Sequence, residues 1–115
     1  MITRHDSGSR MSQAVVHGNT VYLAGQVAND ATASLEEQTA QVLAKVDALL
    51  KKAGTDKSKL LSVGVFLPNI ADFDGMNRVY DAWIDPANPP ARACVETRLA
   101  NPGLRVEITA IAALD

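Results

Sequence analysis

Two charged residues stand where strands could aim them into a confined space. Arg92 lies in Pro89-Pro90-Ala91-Arg92-Ala93-Cys94-Val95-Glu96, and Glu107 lies in Arg105-Val106-Glu107-Ile108. A planar guanidinium can grip a carboxylate or phosphate as a bidentate fork. It can equally close a salt bridge at a subunit interface, where arginine is common. A carboxylate among apolar neighbours can act as a general base on water, or it can be an ordinary solvated or salt-bridged strand residue. Cys94 offers a thiol, but no histidine is near it in sequence. A lone strand cysteine is commonly a small buried hydrophobe. His5 and His17 both lie in the N-terminal segment, without metal-ligand spacing. The sequence holds no phosphate-cradling glycine loop and no arguable Ser-His-Asp grouping.

Positioning these residues takes a scaffold, and the chain supplies signals for one. Residues 2–5 and Gln13–His17 read as short strands around a Ser7-Gly8-Ser9 turn. Gly18-Asn19 is a hairpin dipeptide, and the β-branched and aromatic run Thr20–Ala24 reads as the returning strand. Residues 26–33 read as a loop. Ser34-Leu35-Glu36-Glu37 is a capping box. From it Leu35, Thr39, Val42, Leu43, Val46, Leu49, Leu50 and Ala53 recur at helical spacing, until Gly54 stops the helix. Leu61–Leu67 alternates as a strand. Asp72 is placed to cap a second helix with Phe73, Met76, Val79, Tyr80 and Trp83 on its inner face. The prolines 86, 89 and 90 end that helix. Two closing strands follow, at 92–99 and 105–112.

Strands, helix, strand, helix, strands make an α+β fold: a mixed six-stranded sheet with two helices on one face. At 115 residues, the chain is expected to form a single domain spanning 1–115. Its other sheet face then lacks a cover, which argues for a homo-oligomer. In the first closing strand Arg92, Cys94, Glu96 and Arg98 share a side. In the second, Arg105, Glu107, Thr109 and Ile111 do. Both mixed sides are expected to point into the oligomer interior.

The net charge of −2 and the 4% aromatic content argue against a nucleic-acid partner. The longest apolar runs fall short of the roughly 18 residues that a membrane span needs. The start lacks the apolar core of a signal peptide, so a cytoplasmic location is expected. One cysteine excludes an internal disulfide and a cysteine-rich metal site.

The run Pro90–Glu96, followed by Val106-Glu107-Ile108, resembles the C-terminal signature of the RidA (YjgF-type) family. Further matches are Gly18-Asn19, Ala24-Gly25-Gln26, the helix end Ala53-Gly54, Asp72-Phe73, and Asn77 with Tyr80 one turn on. The resemblance implies a chorismate-mutase-like fold and a homotrimer with ligand clefts between subunits. It also implies hydrolysis of reactive 2-imino or enamine acids, such as 2-iminobutanoate and 2-iminopropanoate, to 2-oxo acids and ammonia. No metal or organic cofactor is implied. Arg92 would clamp the substrate carboxylate, and the backbone at Gly25 and Cys94 would contact substrate and attacking water. Glu107 would orient and activate that water, and Asn77 would reach the cleft from a neighbouring subunit. Two cleft positions depart from the active members: Met11 replaces a tyrosine and Ala24 replaces a serine. The cleft thereby loses two hydroxyls. Arg10 either enters the cleft or lies on the surface. The readings that remain are an imine deaminase and a non-catalytic, small-carboxylate-binding or regulatory relative.

Overall fold

The computed structural model describes residues 1–115. Its elements are β1 (Ile2–His5), β2 (Ala14–His17), β3 (Thr20–Val27), α1 (Leu35–Ala53), β4 (Leu60–Leu67), α2 (Phe73–Trp83), β5 (Ala91–Glu96) and β6 (Glu107–Ala113). The strands form one sheet in the order β1-β2-β3-β6-β4-β5. All neighbours run antiparallel except β4 and β5, which are parallel and joined through α2.

Local chemistry explains most boundaries. The β2–β3 hairpin turns on Gly18-Asn19, with a positive φ of 61° at the glycine only, as a type II′ turn requires. The hydroxyl of Ser34 accepts from the Glu37 amide at the start of α1, and Gly54 closes the helix at φ 96°. Asp72 departs from expectation. It occupies the residue before α2 but makes no side-chain cap bond. Asn69 caps the short turn Ile70–Asp72 instead, accepting from the Ala71 amide. The Asp72 carboxylate is left to pair with Arg105 at 3.1 Å.

Both helices lie on one sheet face. Val42, Leu43, Val46 and Leu50 of α1 and Met76 of α2 are buried against Val21, Val63, Val65, Leu67 and Ile108. Each such aliphatic side chain contributes about 1.5–3 kcal/mol by leaving water. Trp83 is only partly buried; its indole nitrogen donates to Asp47 Oδ2 at 2.9 Å, tying α2 to α1. Gln38 is a polar residue on the apolar stripe, fully buried. Its amide donates to the Ala33 and Gly103 carbonyls and accepts from the Arg105 amide, fastening the 97–106 loop to α1. Each backbone group satisfied in this way would otherwise cost about 1–3 kcal/mol buried.

On the opposite face Tyr22 and Val95 stay 45% and 44% exposed, beside the partly buried Val15, Phe66 and Ile111. No helix of the chain covers that face. No helix is long and apolar enough to cross a membrane.

Candidate functional site

The structure builds two half-sites. The first sits at the edge strand β5. Arg92 aligns with Val63 of parallel β4, and Val63 is buried under the helices. Neighbours in register share a face, so Arg92, Cys94 and Glu96 lie on the helix side. This corrects the expectation that their side of β5 turns to the oligomer interior; Ala93 and the half-exposed Val95 turn there instead. Arg92 reaches α2. Its Nη1 donates to Asn77 Oδ1 at 2.8 Å. Its guanidinium carbon lies 4.7 Å from the Tyr80 ring centre and 5.8 Å from that of Phe73. Asn77 of the same chain therefore holds Arg92, so the two would enter a shared cleft together.

Phe73, Asn77 and Tyr80 fall at i, i+4 and i+7, one face of α2. That spacing was the available signal for Arg92's bed, but it reads first as core. Tyr80 is buried, whereas Phe73 remains 39% exposed and rims the half-site. Burial raises the Tyr80 phenol's pKa, and the adjacent Arg92 charge works against the shift. With one guanidinium nitrogen committed to Asn77, the remaining N–H groups are free to bind an anion.

Cys94 lies two residues on from Arg92, partly buried against the core. Burial raises its thiol pKa above the ordinary value, and the Arg92 charge lowers it by less. Thiolate is the reactive form. Cys94 is therefore expected to alkylate with iodoacetamide more slowly than a free thiol at pH 8. Its rate should climb only above the usual cysteine range, and Arg92→Ala should move the profile to still higher pH. Mass spectrometry of timed quenches across pH would show this. Rapid alkylation at neutral pH would contradict it.

The second half-site lies on the open face of the sheet. Strand β3 does not end at Ala24. It continues to Val27 through a bulge, in which Ala24 and Gly25 together oppose Thr109 between the pairs Leu23–Ala110 and Gln26–Ile108. This corrects the loop expected from residue 26. Glu107 pairs with Val27 on β3 and Phe66 on β4, and its side chain lies over the glycine. A methyl carbon on Gly25 would fall 2.0 Å from Glu107 Oε2. Gly25 thus leaves the room that the carboxylate occupies. Gly64 does the same for Thr109, whose Oγ1 would lie 2.6 Å from a methyl there. Ala24 is partly buried, and its carbonyl accepts from Gln26 Nε2 at 3.1 Å. Met11, in the loop between β1 and β2, is 46% exposed.

Arg92 with Asn77 and Cys94, and Glu107 with Gly25, therefore lie on opposite faces of one sheet. A single chain cannot close them on one small molecule.

Comparison with known proteins decides the lineage. A family profile described as Endoribonuclease L-PSP matches residues 1–114. The chain belongs to this RidA/YjgF family. Among its relatives, a RutC family protein of Haemophilus ducreyi is 45% identical over 115 residues, covering 100% of this chain and 98% of that protein. The RutC family protein YoaB of Escherichia coli is 42% identical over 113 residues, covering 98% of each. A solved YjgF family member from Neisseria meningitidis superposes with a TM-score of 0.95 at 40% identity, over 98% of this chain and 94% of that one. An uncharacterized protein from Pseudomonas aeruginosa gives a TM-score of 0.96 at 38% identity, over 100% of both chains. The mixed sheet with two helices is thus the fold of the RidA/YjgF family, and the signature at residues 90–96 and 106–108 read the lineage correctly.

Proposed function

We propose that this RidA/YjgF protein is a homotrimer that hydrolyses 2-imino and enamine acids to 2-oxo acids and ammonia in clefts between subunits. The observation that carries the reading is the division of charged groups between the two sheet faces. A neighbouring subunit packed on the open apolar face would bring its Arg92 half-site to the Glu107 half-site of the first.

In such a cleft Arg92 receives the substrate carboxylate on the N–H groups that Asn77 leaves free. The aromatic faces of Tyr80 and Phe73 hold the guanidinium flat. An iminium carbon is already electrophilic, so placement of water supplies much of the catalysis. Glu107 accepts a proton from water as its oxygen bonds to that carbon, giving a carbinolamine. Glu107 passes that proton to nitrogen and takes the hydroxyl proton as the C–N bond breaks, so that ammonia leaves a 2-oxo acid. An enamine first takes a proton on its β-carbon. Met11 and Ala24 contribute no hydroxyl, so orientation falls to Arg92, Glu107 and the Gly25 and Cys94 backbone.

The test is to generate 2-iminobutanoate with an amino-acid oxidase and trap it with semicarbazide. Faster loss of imine than in buffer is expected; no acceleration sinks the deaminase. Saturable binding of 2-oxobutanoate without turnover would instead establish the carboxylate-binding alternative. Subunit mixing tests the shared cleft. Arg92→Ala and Glu107→Gln chains should each be inactive alone. Co-refolded in equal amounts, they should regain about one active site in four, as random closed assembly predicts. No regain, with mixed oligomers demonstrated by native mass spectrometry, would refute the division between subunits.

A further inference from the structure

We propose that a cavity between α1 and the 6–13 loop is a second ligand site, separate from both half-sites, which takes a small zwitterion of the α-amino acid class. The cavity has a volume of about 330 Å³ and is lined by Asp6, Gln13, Gln26, Lys45, Ala48 and Leu49.

Its polar wall is held by hydrogen bonds and keeps spare donors and acceptors. Gln26 is only 6% exposed. Its amide nitrogen uses both protons, donating to Gln13 Oε1 at 2.9 Å and to the Ala24 carbonyl at 3.1 Å. Its amide oxygen accepts no hydrogen bond from the chain and stays accessible to solvent, free to accept from a ligand. Lys45, half-buried, donates one bond to the Val27 carbonyl at 2.7 Å. Two of its ammonium protons remain, and no carboxylate pairs with it: the chain's ion pairs are Lys52–Asp6 and Arg105–Asp72. A partly desolvated cation without a counter-charge favours an anion.

Asp6 gives the site its second sign. It is the sole non-glycine residue at positive φ, 53°, and its carboxylate is held at the cavity by Lys52 at 2.7 Å. Both of its oxygens already accept from Lys52 Nζ, at 2.7 and 3.0 Å, and their remaining lone pairs can accept from a ligand ammonium. Lys45 thus receives a carboxylate, the Gln26 oxygen and Asp6 receive an ammonium, and Ala48 with Leu49 leaves an apolar floor for a short side chain.

Lys45 and Gln26 also hold the carbonyls of Val27 and Ala24, which flank the bulge at Gly25. A ligand that recruits either side chain acts on the strand segment lying under Glu107, so occupancy is linked to that half-site by geometry.

The experiment is a ¹H–¹⁵N titration of the full chain with glycine, L-alanine, L-serine and L-valine, and with acetate as the anion lacking an ammonium. The expected result is saturable shifts at residues 6–13, 24–27 and 45–49 for at least one amino acid. Acetate should bind about tenfold or more weakly, the worth of one hydrogen bond to a charged group. Binding should be lost in Lys45→Gln, whose amide can still donate to Val27. It should also be lost in Ala48→Phe, which fills the cavity from an exposed helix position, and it should survive Arg92→Ala. Absence of shifts with all four amino acids overturns the proposal. So does acetate binding as tightly as they do, or shifts centred on residues 91–94 and abolished by Arg92→Ala. Because binding is read in the absence of any imine, failure here leaves the deaminase reading standing, and a failed imine assay leaves this site standing.

Discussion

Arg92→Ala is expected to bring imine hydrolysis down to the rate in buffer and to abolish saturable binding of 2-oxobutanoate. Two charge-assisted hydrogen bonds to a carboxylate are worth about 1.5–3 kcal/mol each, so the loss in kcat/KM should be roughly 10²- to 10⁴-fold. Arg92→Lys is expected to fall nearly as far. The guanidinium engages Asn77 with one nitrogen and lies against Tyr80 at 4.7 Å, leaving the rest of its fork for the ligand. An ammonium offers neither the flat face nor the fork. Asn77→Ala should have a smaller effect, mainly on KM, because it frees the guanidinium to swing without removing its charge. Thermal unfolding should move little in the Arg92 variants, since the residue sits on an edge strand outside the buried cluster. An Arg92→Ala protein that keeps its activity would remove the guanidinium from the mechanism.

Gly25→Ala should be nearly as damaging to activity as Glu107→Gln, although it leaves every charged group in place. The added carbon would lie 2.0 Å from Glu107 Oε2 and 2.9 Å from its Cδ. The far end of a flexible side chain yields more cheaply than backbone, so the carboxylate moves and the fold survives. Overpacking of this kind costs about 1–3 kcal/mol in stability. Displacing a general base forfeits roughly 10²- to 10⁴-fold in rate. Gly64→Ala is the matched control, because its added carbon meets Thr109 and not Glu107. It should cost similar stability while retaining most activity. Full activity in Gly25→Ala, beside a dead Glu107→Gln, would show that the carboxylate's place over the glycine is not used in the reaction.

Legibility in the sequence followed the range of the interactions. Helix α1 was readable to the residue because Ser34 and Gly54 act on backbone a few residues away, Ser34 on the Glu37 amide. The faces of β6 were readable because alternation is local: Ile108, Ala110 and Ala112 are buried and Glu107, Thr109 and Ile111 are less so. The side to which Arg92 points was not readable. It depends on which residue of β4 stands opposite it, and parallel pairing leaves no mark between strands that are distant in sequence. For the same reason nothing in the sequence pairs Asn77 with Arg92 of its own chain. The bulge that carries β3 past Gly25 was hidden because a glycine next to a polar residue reads as a strand end. Asp72 had the right type and place for a helix cap, but its carboxylate was taken by Arg105, more than thirty residues downstream.

The strand order has a consequence for how the protein is made. β6 comes last among the strands in sequence, yet it lies between β3 and β4. While the chain is being translated, α1 can already pack on both the β1–β3 meander and α2, but no strand pairing yet joins the meander to the β4–α2–β5 unit. The sheet closes only when residues 107–113 have emerged from the ribosome. Until then the inner edges of β3 and β4 are unpaired backbone, the kind of edge that recruits other chains. The strand that brings in Glu107 is thus also the one that ends this exposure. A chain stalled before residue 107 would lack the carboxylate and would leave both of those edges open to aggregation.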